Sequence, residues 1–193
     1  MLPFLDPDTP TDGRILEAGR YRIPLSDTLS LDIDLPTGTE ANGDGMYLAF
    51  DQVILKVEAA GEGYGVPRDP CYSFVDIAPA GVTVADLVSA IRKQPVYEVT
   101  RLAPVTIGGA EGQSFELRIP RAYDSSSCID SQVGLPGKPS TSNNMSPGYV
   151  ARWWVLDVAG ERAVLQTYCD GCTPAASERM VEVVESITFT PTS

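Results

Sequence analysis

The sequence predicts an α+β fold: a mostly antiparallel β-sheet flanked by two amphipathic helices. Three observations carry that prediction. The last third reads as a hairpin, Tyr149 to Val158, a two-residue turn at Ala159-Gly160, then Glu161 to Tyr168. Other short segments alternate apolar and polar residues, the period of a half-buried strand. Two segments, opened by Thr83 and Thr173, repeat apolar residues at the spacing of one helix face.

The elements follow in chain order. Asp6 to Gly13 is rich in Pro, Asp and Thr and reads as a linker, so residues 1–13 are expected to form an N-terminal extension and residues 14–191 a single domain. Leu29, Leu31, Ile33 and Leu35 alternate with Ser30, Asp32 and Asp34, which predicts a half-buried strand with a solvated polar face, ended by Pro36. Thr37 to Gly45 reads as a turn region, and Met46 to Ala59 contains a strand with Val53, Leu55 and Val57 on one face.

Thr83-Val84-Ala85-Asp86 is a capping box, in which hydroxyl and carboxylate each accept from the other residue's backbone N–H. Val84, Leu87, Val88 and Ile91 then share one helix face, and Pro95 stops the helix. Strands are expected over Val96 to Ile107 and Ser114 to Pro120, joined by a Gly108–Gly112 turn that precedes a strand and so is no phosphate cradle. From Ser125 to Gly148, fifteen of 24 residues are Ser, Gly, Pro or Asn, which predicts a long loop of the kind that is functional or mobile.

The C-terminal hairpin has a testable register. A two-residue loop at Ala159-Gly160 sets Asp157 opposite Arg162, Leu156 opposite Ala163 and Trp154 opposite Leu165, an opposite-charge pair and two apolar pairs. Both faces of Tyr149 to Val158 are apolar, so the strand is expected to be central and covered on both sides. Thr173 caps a second helix with Pro174 at its first position, and Met180, Val183, Val184 and Ile187 form its apolar face.

Composition excludes several functions. The chain has 193 residues, 43% of them hydrophobic and 21% charged, enough for a real core in one domain. A net charge of −12 argues against nucleic acid and against a basic membrane-surface patch, since both need clustered Lys and Arg. There is no histidine, which removes Ser-His-Asp and Cys-His machinery and imidazole metal sites. No run of 18 apolar residues is present to cross a bilayer.

The series Arg152 to Arg162, then Thr173-Pro174, then Glu185 to Phe189, resembles the end of many actinobacterial extracytoplasmic domains. Ala18-Gly19-Arg20-Tyr21 and Thr83-Val84-Ala85-Asp86-Leu87 are similar too, so the likeness spans roughly residues 14 to 191. Such domains resemble the PsbP-like fold and occur in lipoproteins and other anchored proteins. The resemblance implies a cell-envelope or secreted location, with a leader or anchor expected to have been removed upstream. It supplies no functional residues, and the 125–148 loop and four cysteines depart from its pattern.

In that setting Cys71, Cys128, Cys169 and Cys172 read as two disulfides with three possible connectivities, of which Cys71–Cys128 with Cys169–Cys172 is preferred. A bridge from Cys128 would tether the long loop. Cys169-x-x-Cys172 also has the spacing of a redox pair before a helix N-terminus, but no thioredoxin-like βαβ pattern surrounds it. Four-cysteine zinc binding lacks the second close pair it needs. Asp6, Asp8 and Asp12 have the wrong spacing for a calcium loop, and Asp32 and Asp34 read as a solvated strand face.

Trp153 and Trp154 point to opposite faces, and Tyr149 shares the face of Trp153 beside the long loop. Tyr149 and Trp153 are therefore the expected ligand-binding residues. No catalytic residue, metal or cofactor is expected. The sequence reads as a non-enzymatic binding or interaction domain, with an unknown small ligand or envelope protein as partner. The alternative is a thiol–disulfide oxidoreductase using Cys169 and Cys172.

Overall fold

A computed structural model describes residues 13–42, 47–71, 76–139, 143–169 and 173–191, with only the backbone of Cys169. Its centre is the predicted hairpin, β13 (Val150–Val158) and β14 (Glu161–Cys169), in the expected register: Asp157 opposite Arg162, Leu156 opposite Ala163, Trp154 opposite Leu165. Ala159 and Gly160 both have positive φ, as a two-residue hairpin turn requires. The register holds but the charge pair does not form. Arg162 turns into the interior toward backbone carbonyls, and Asp157 accepts from Gly160 N at 2.8 Å.

The remaining strands run in chain order. β1 (Arg14–Leu16), β2 (Gly19–Pro24), β3 (Leu29–Leu35) and β4 (Thr39–Asn42) open the chain. They are followed by β5 (Tyr47–Phe50), β6 (Val53–Ala59), β7 (Gly65–Pro67) and β8 (Ile77–Pro79). Helix α1 (Val84–Lys93) leads to β9 (Glu98–Ile107) and β10 (Ala110–Arg118). Two-residue strands β11 (Val133–Gly134) and β12 (Asn144–Met145) precede the hairpin, and α2 (Pro174–Glu185) and β15 (Thr188–Pro191) follow it.

An eight-stranded antiparallel sheet, ordered β1-β4-β5-β6-β14-β13-β10-β9, forms the middle layer. A three-stranded sheet, β15-β3-β2, and α2 cover its first face. Helix α1, the β7–β8 ribbon and the described part of the 120–149 segment, which crosses the sheet, cover the second. β13 therefore lies inside the sheet and is buried on both faces, with Trp154 in the first core and Trp153 in the second. The α1 capping box forms, Asp86 N donating to Thr83 Oγ1 at 3.1 Å and Thr83 N to Asp86 Oδ2 at 3.1 Å. Thr173 caps α2 by accepting from Ala176 N at 3.2 Å. Neither helix is long and apolar enough to cross a membrane.

Four expectations are corrected. The strand expected within Met46 to Ala59 is β6, with Val53, Leu55 and Val57 in the first core, but Thr37 to Gly45 is not all turn, since Thr39–Asn42 form β4; β5 and β6 are joined by a turn at Asp51 and Gln52 with φ of 49° and 68°. Glycine or asparagine usually signals such a turn, and neither is present here. The Gly108–Gly112 turn shrinks to Gly108-Gly109. Gly112 lies within β10, where a Cβ would sit 2.0 Å from Val155 O, so glycine is needed for close strand approach.

The polar face of β3 is not solvated at Asp32, which is 7% exposed. β3 is the middle strand of its sheet, and Arg22 on β2 covers Asp32 with bonds of 2.6 and 2.8 Å. Finally, the described part of 125–148 is not structureless. It forms β11, β12 and a short 3₁₀ turn at Ile129–Ser131, and it buries Val133, Leu135 and Met145. The N-terminal extension, with Asp6, Asp8 and Asp12, lies outside the described residues.

Candidate functional site

The second face of the sheet holds a depression of about 470 Å³. Tyr168, near the end of β14, and Ile54 of β6, its cross-strand partner, lie on one side. Tyr149, Asn144, Met145 and Ser146 come from the crossing segment. Gln52 of the β5–β6 turn and Gln132 complete the lining, so none of the described lining residues is charged. Burial pushes the Tyr168 phenol up to about 12, with Tyr47 adding a smaller push, so it stays a neutral donor at physiological pH.

The crossing segment is held in place by several independent ties. A disulfide joins Cys71 to Cys128. Gly134 N donates to Pro70 O at 2.7 Å, Leu135 N to Asn143 O at 2.7 Å, and Gly65 and Gly137 exchange two bonds of 3.0 Å. Ser125 Oγ donates to Ser131 O at 2.7 Å, and the buried Tyr97 hydroxyl to Gly134 O at 2.5 Å. A loop covering a sheet must satisfy its own backbone groups, and these bonds do so. The depression is thus largely preformed, which lowers the ordering entropy lost on binding.

Beside it lies a buried polar row. Tyr47, Lys56, Gln166, Trp153 and Phe115 are successive cross-strand neighbours on β5, β6, β14, β13 and β10. Lys56, 1% exposed, has its ammonium 3.0 Å from Glu58 Oε1, an ion pair without hydrogen-bond geometry. Tyr64 OH donates to Glu58 Oε2 at 3.1 Å, and burial chiefly, with the Glu58 charge, holds that phenol well above its ordinary range. Asn143 Nδ2 donates to Gln166 Oε1 at 3.1 Å and Pro136 O at 2.8 Å. Arg162 donates to the carbonyls of Ala60, Gly81 and Thr83 at 2.8–2.9 Å, and burial lowers its affinity for its proton.

Of the two expected binding residues, the structure places Tyr149 at the depression. Trp153 is 0% exposed and stacks on Phe115 with ring centroids 6.1 Å apart, so it adds nothing to the surface. Trp154 is buried in the first core, its ring under the Arg152 guanidinium at 5.2 Å. The Cys71–Cys128 bond takes two thiols from any four-cysteine zinc site, while the Cys169–Cys172 pairing lies outside the described residues. Sequence reasoning missed Tyr168, Lys56, Glu58 and Gln166. Lys56 and Glu58 alternate with Val53, Leu55 and Val57, which reads as a solvated face. The only signal against that reading is Gln166 itself, an amide inside the apolar run of β14.

Compared with known families and curated proteins, the chain matches no family model and no curated protein.

Proposed function

We propose that this protein is a non-enzymatic, extracytoplasmic binding domain of an anchored or secreted envelope protein, with a PsbP-like fold. Its ligand is small and uncharged and sits between Tyr149 and Tyr168. One observation carries the reading: two tyrosines and three side-chain amides, from Gln52, Gln132 and Asn144, converge on a depression whose described lining has no charge. The Cys71–Cys128 disulfide is compatible with an oxidising compartment, and it ties down the segment that supplies more than half of the lining.

The test is calorimetric titration with uncharged probes: neutral sugars, nucleosides and small amides. Tyr149→Ala and Tyr168→Ala should each weaken binding by about tenfold or more, as loss of a ring contact implies. Both side chains are partly exposed, so the melting temperature should move little. Binding that survives both substitutions overturns the placement.

A further inference from the structure

We infer that a groove between α1 and β9 binds an extended acidic peptide of a partner protein, with Arg92 and Lys93 holding its carboxylates. The groove is separate from the depression and has a volume of about 450 Å³. Ala85, Val88, Ser89, Arg92 and Lys93 form its helical wall. They follow at i, i+3, i+4, i+7 and i+8, so one stripe of α1 borders the groove over about 12 Å. Leu102 of β9 and Gln113 of β10 form the opposite wall, at the β9 edge of the eight-stranded sheet.

Charge selects the ligand. The chain carries 14 Lys and Arg against 26 Asp and Glu, yet the described lining holds two cations and no carboxylate. Arg92 and Lys93 are exposed and form no ion pair or side-chain hydrogen bond among the described residues. Both lie in the last turn of α1, where the helix carries about half a negative charge, so two cations overcompensate it. The neighbouring Arg101 is already paired with Glu116 at 2.9 Å.

A β-bulge builds the apolar wall. Arg101 and Leu102 together oppose Phe115, between the pairs Thr100↔Glu116 and Ala103↔Ser114. Arg101 takes the left-handed backbone there, with φ of 54°. Its side chain meets Glu116, while Leu102 lines the groove and stays 40% exposed. Bulges that re-aim a side chain in this way concentrate at sheet edges and next to active sites. The bulge and Pro104 also blunt the free edge of β9, so the groove recognises side chains and does not add a strand.

The order of groups fits a peptide. Along α1, Ser89 lies between the apolar Ala85 and Val88 and the two cations, and Gln113 adds an amide to the opposite wall. Each can donate and accept, as the N–H and C=O groups of an extended backbone require. A fatty acid would set its alkyl chain against these polar groups, and an inorganic anion would leave Val88 and Leu102 uncovered. An anionic membrane surface needs a larger basic cluster than two residues. Four extended residues span about 13 Å, close to the length of the helical wall.

The test is NMR titration of the ¹⁵N-labelled protein with the end-capped peptides Leu-Leu-Glu-Glu and Glu-Glu-Leu-Leu, and with Leu-Leu-Gln-Gln as neutral control. The expected result is that an acidic peptide shifts the amides of Ser89, Arg92, Lys93, Leu102 and Gln113 and leaves Tyr149 and Tyr168 unmoved. Arg92→Gln combined with Lys93→Gln should weaken binding about fivefold, and Leu102→Ser about threefold. Added salt should weaken it as well. All three side chains are exposed, so the melting temperature should hold.

Equal binding of the neutral peptide, or binding that survives loss of both cations, overturns the inference. Binding to phosphatidylglycerol vesicles where neither acidic peptide binds overturns the peptide and assigns the groove to a membrane surface. No shift with either acidic peptide at millimolar concentration overturns the groove as a peptide site. It leaves the depression untouched, because uncharged probes report that site through Tyr149 and Tyr168.

Discussion

The two faces of the central sheet are made by the same strands and covered by different kinds of element. β13 sends Trp154, Leu156 and Val158 into the first core and Ala151, Trp153 and Val155 into the second. β3 and α2 cover the first face with backbone already hydrogen-bonded to itself, and the core beneath them is mostly apolar, with the buried hydroxyls of Thr39 and Thr167 on the same strand faces as Ala41 and Leu165. Irregular chain covers much of the second face and brings carbonyls that need donors. Arg162 serves Ala60, Gly81 and Thr83, while Asn143 and Tyr64 serve Pro136 and Tyr97 serves Gly134. A loop-covered face therefore carries buried polar side chains, and those side chains can also recognise a ligand.

The sharpest way to break this comparison is to disturb the ion pair beneath the loop. Lys56→Met leaves Glu58 buried without its cation and should lower stability by about 3–5 kcal/mol in chemical denaturation. Adding Glu58→Leu should recover most of that loss, because the uncompensated charge goes with it. A single variant as stable as the parent would show that the second face tolerates polar loss as a solvated surface does.

The disulfide comes next. Cys71 and Cys128 are 57 residues apart, and on the loop-entropy relation their joint replacement by serine should remove about 4 kcal/mol. Hydrogen exchange should then quicken first at Gly134, Leu135 and Gly137, whose amides tie the cover down, while strands of the first core keep their protection. Uniform quickening across both faces would mean that they unfold as one unit and that the cover has no separate stability.

The smallest effect concerns the outer side of the first-face sheet. The hydrogen bond from Arg22 holds Asp32 below the ordinary carboxylate range, outweighing its burial. The folded carboxylate thus protonates at lower pH than the unfolded one. Its stabilisation is complete above the unfolded value of about 4 and drains away as pH falls through the folded value. Asp32→Asn should be less stable than the parent by about 1 kcal/mol at neutral pH, and the two melting curves should converge in acid. A gap that persists there would assign the effect to packing instead.

The helices and the β13–β14 hairpin were legible in the sequence because their signals are local. A capping threonine, a helical stripe and a two-residue turn each act within a few residues of chain. The Asp51-Gln52 turn was not legible, since its backbone is imposed by the pairing of β5 with β6 and not by its own residues. Tyr149 was singled out by its place next to the long loop, and it lines the depression. Trp153 was misplaced in depth because alternation assigns a face and says nothing of what covers it. Lys56 and Gln166 were missed for the same reason.

The sequence by itself determined the fold class, both helices, the register of the central hairpin and the opposite placement of Trp153 and Trp154. These rest on periodicities of 2.0 and 3.6 residues, which are properties of the backbone. Only the tertiary structure decided that β6 sits inside an eight-stranded sheet and that the described part of 125–148 packs over the sheet. That placement turned Lys56, Glu58 and Gln166 from an apparent surface into an interior, since burial belongs to the layer above a strand and no strand encodes its own cover.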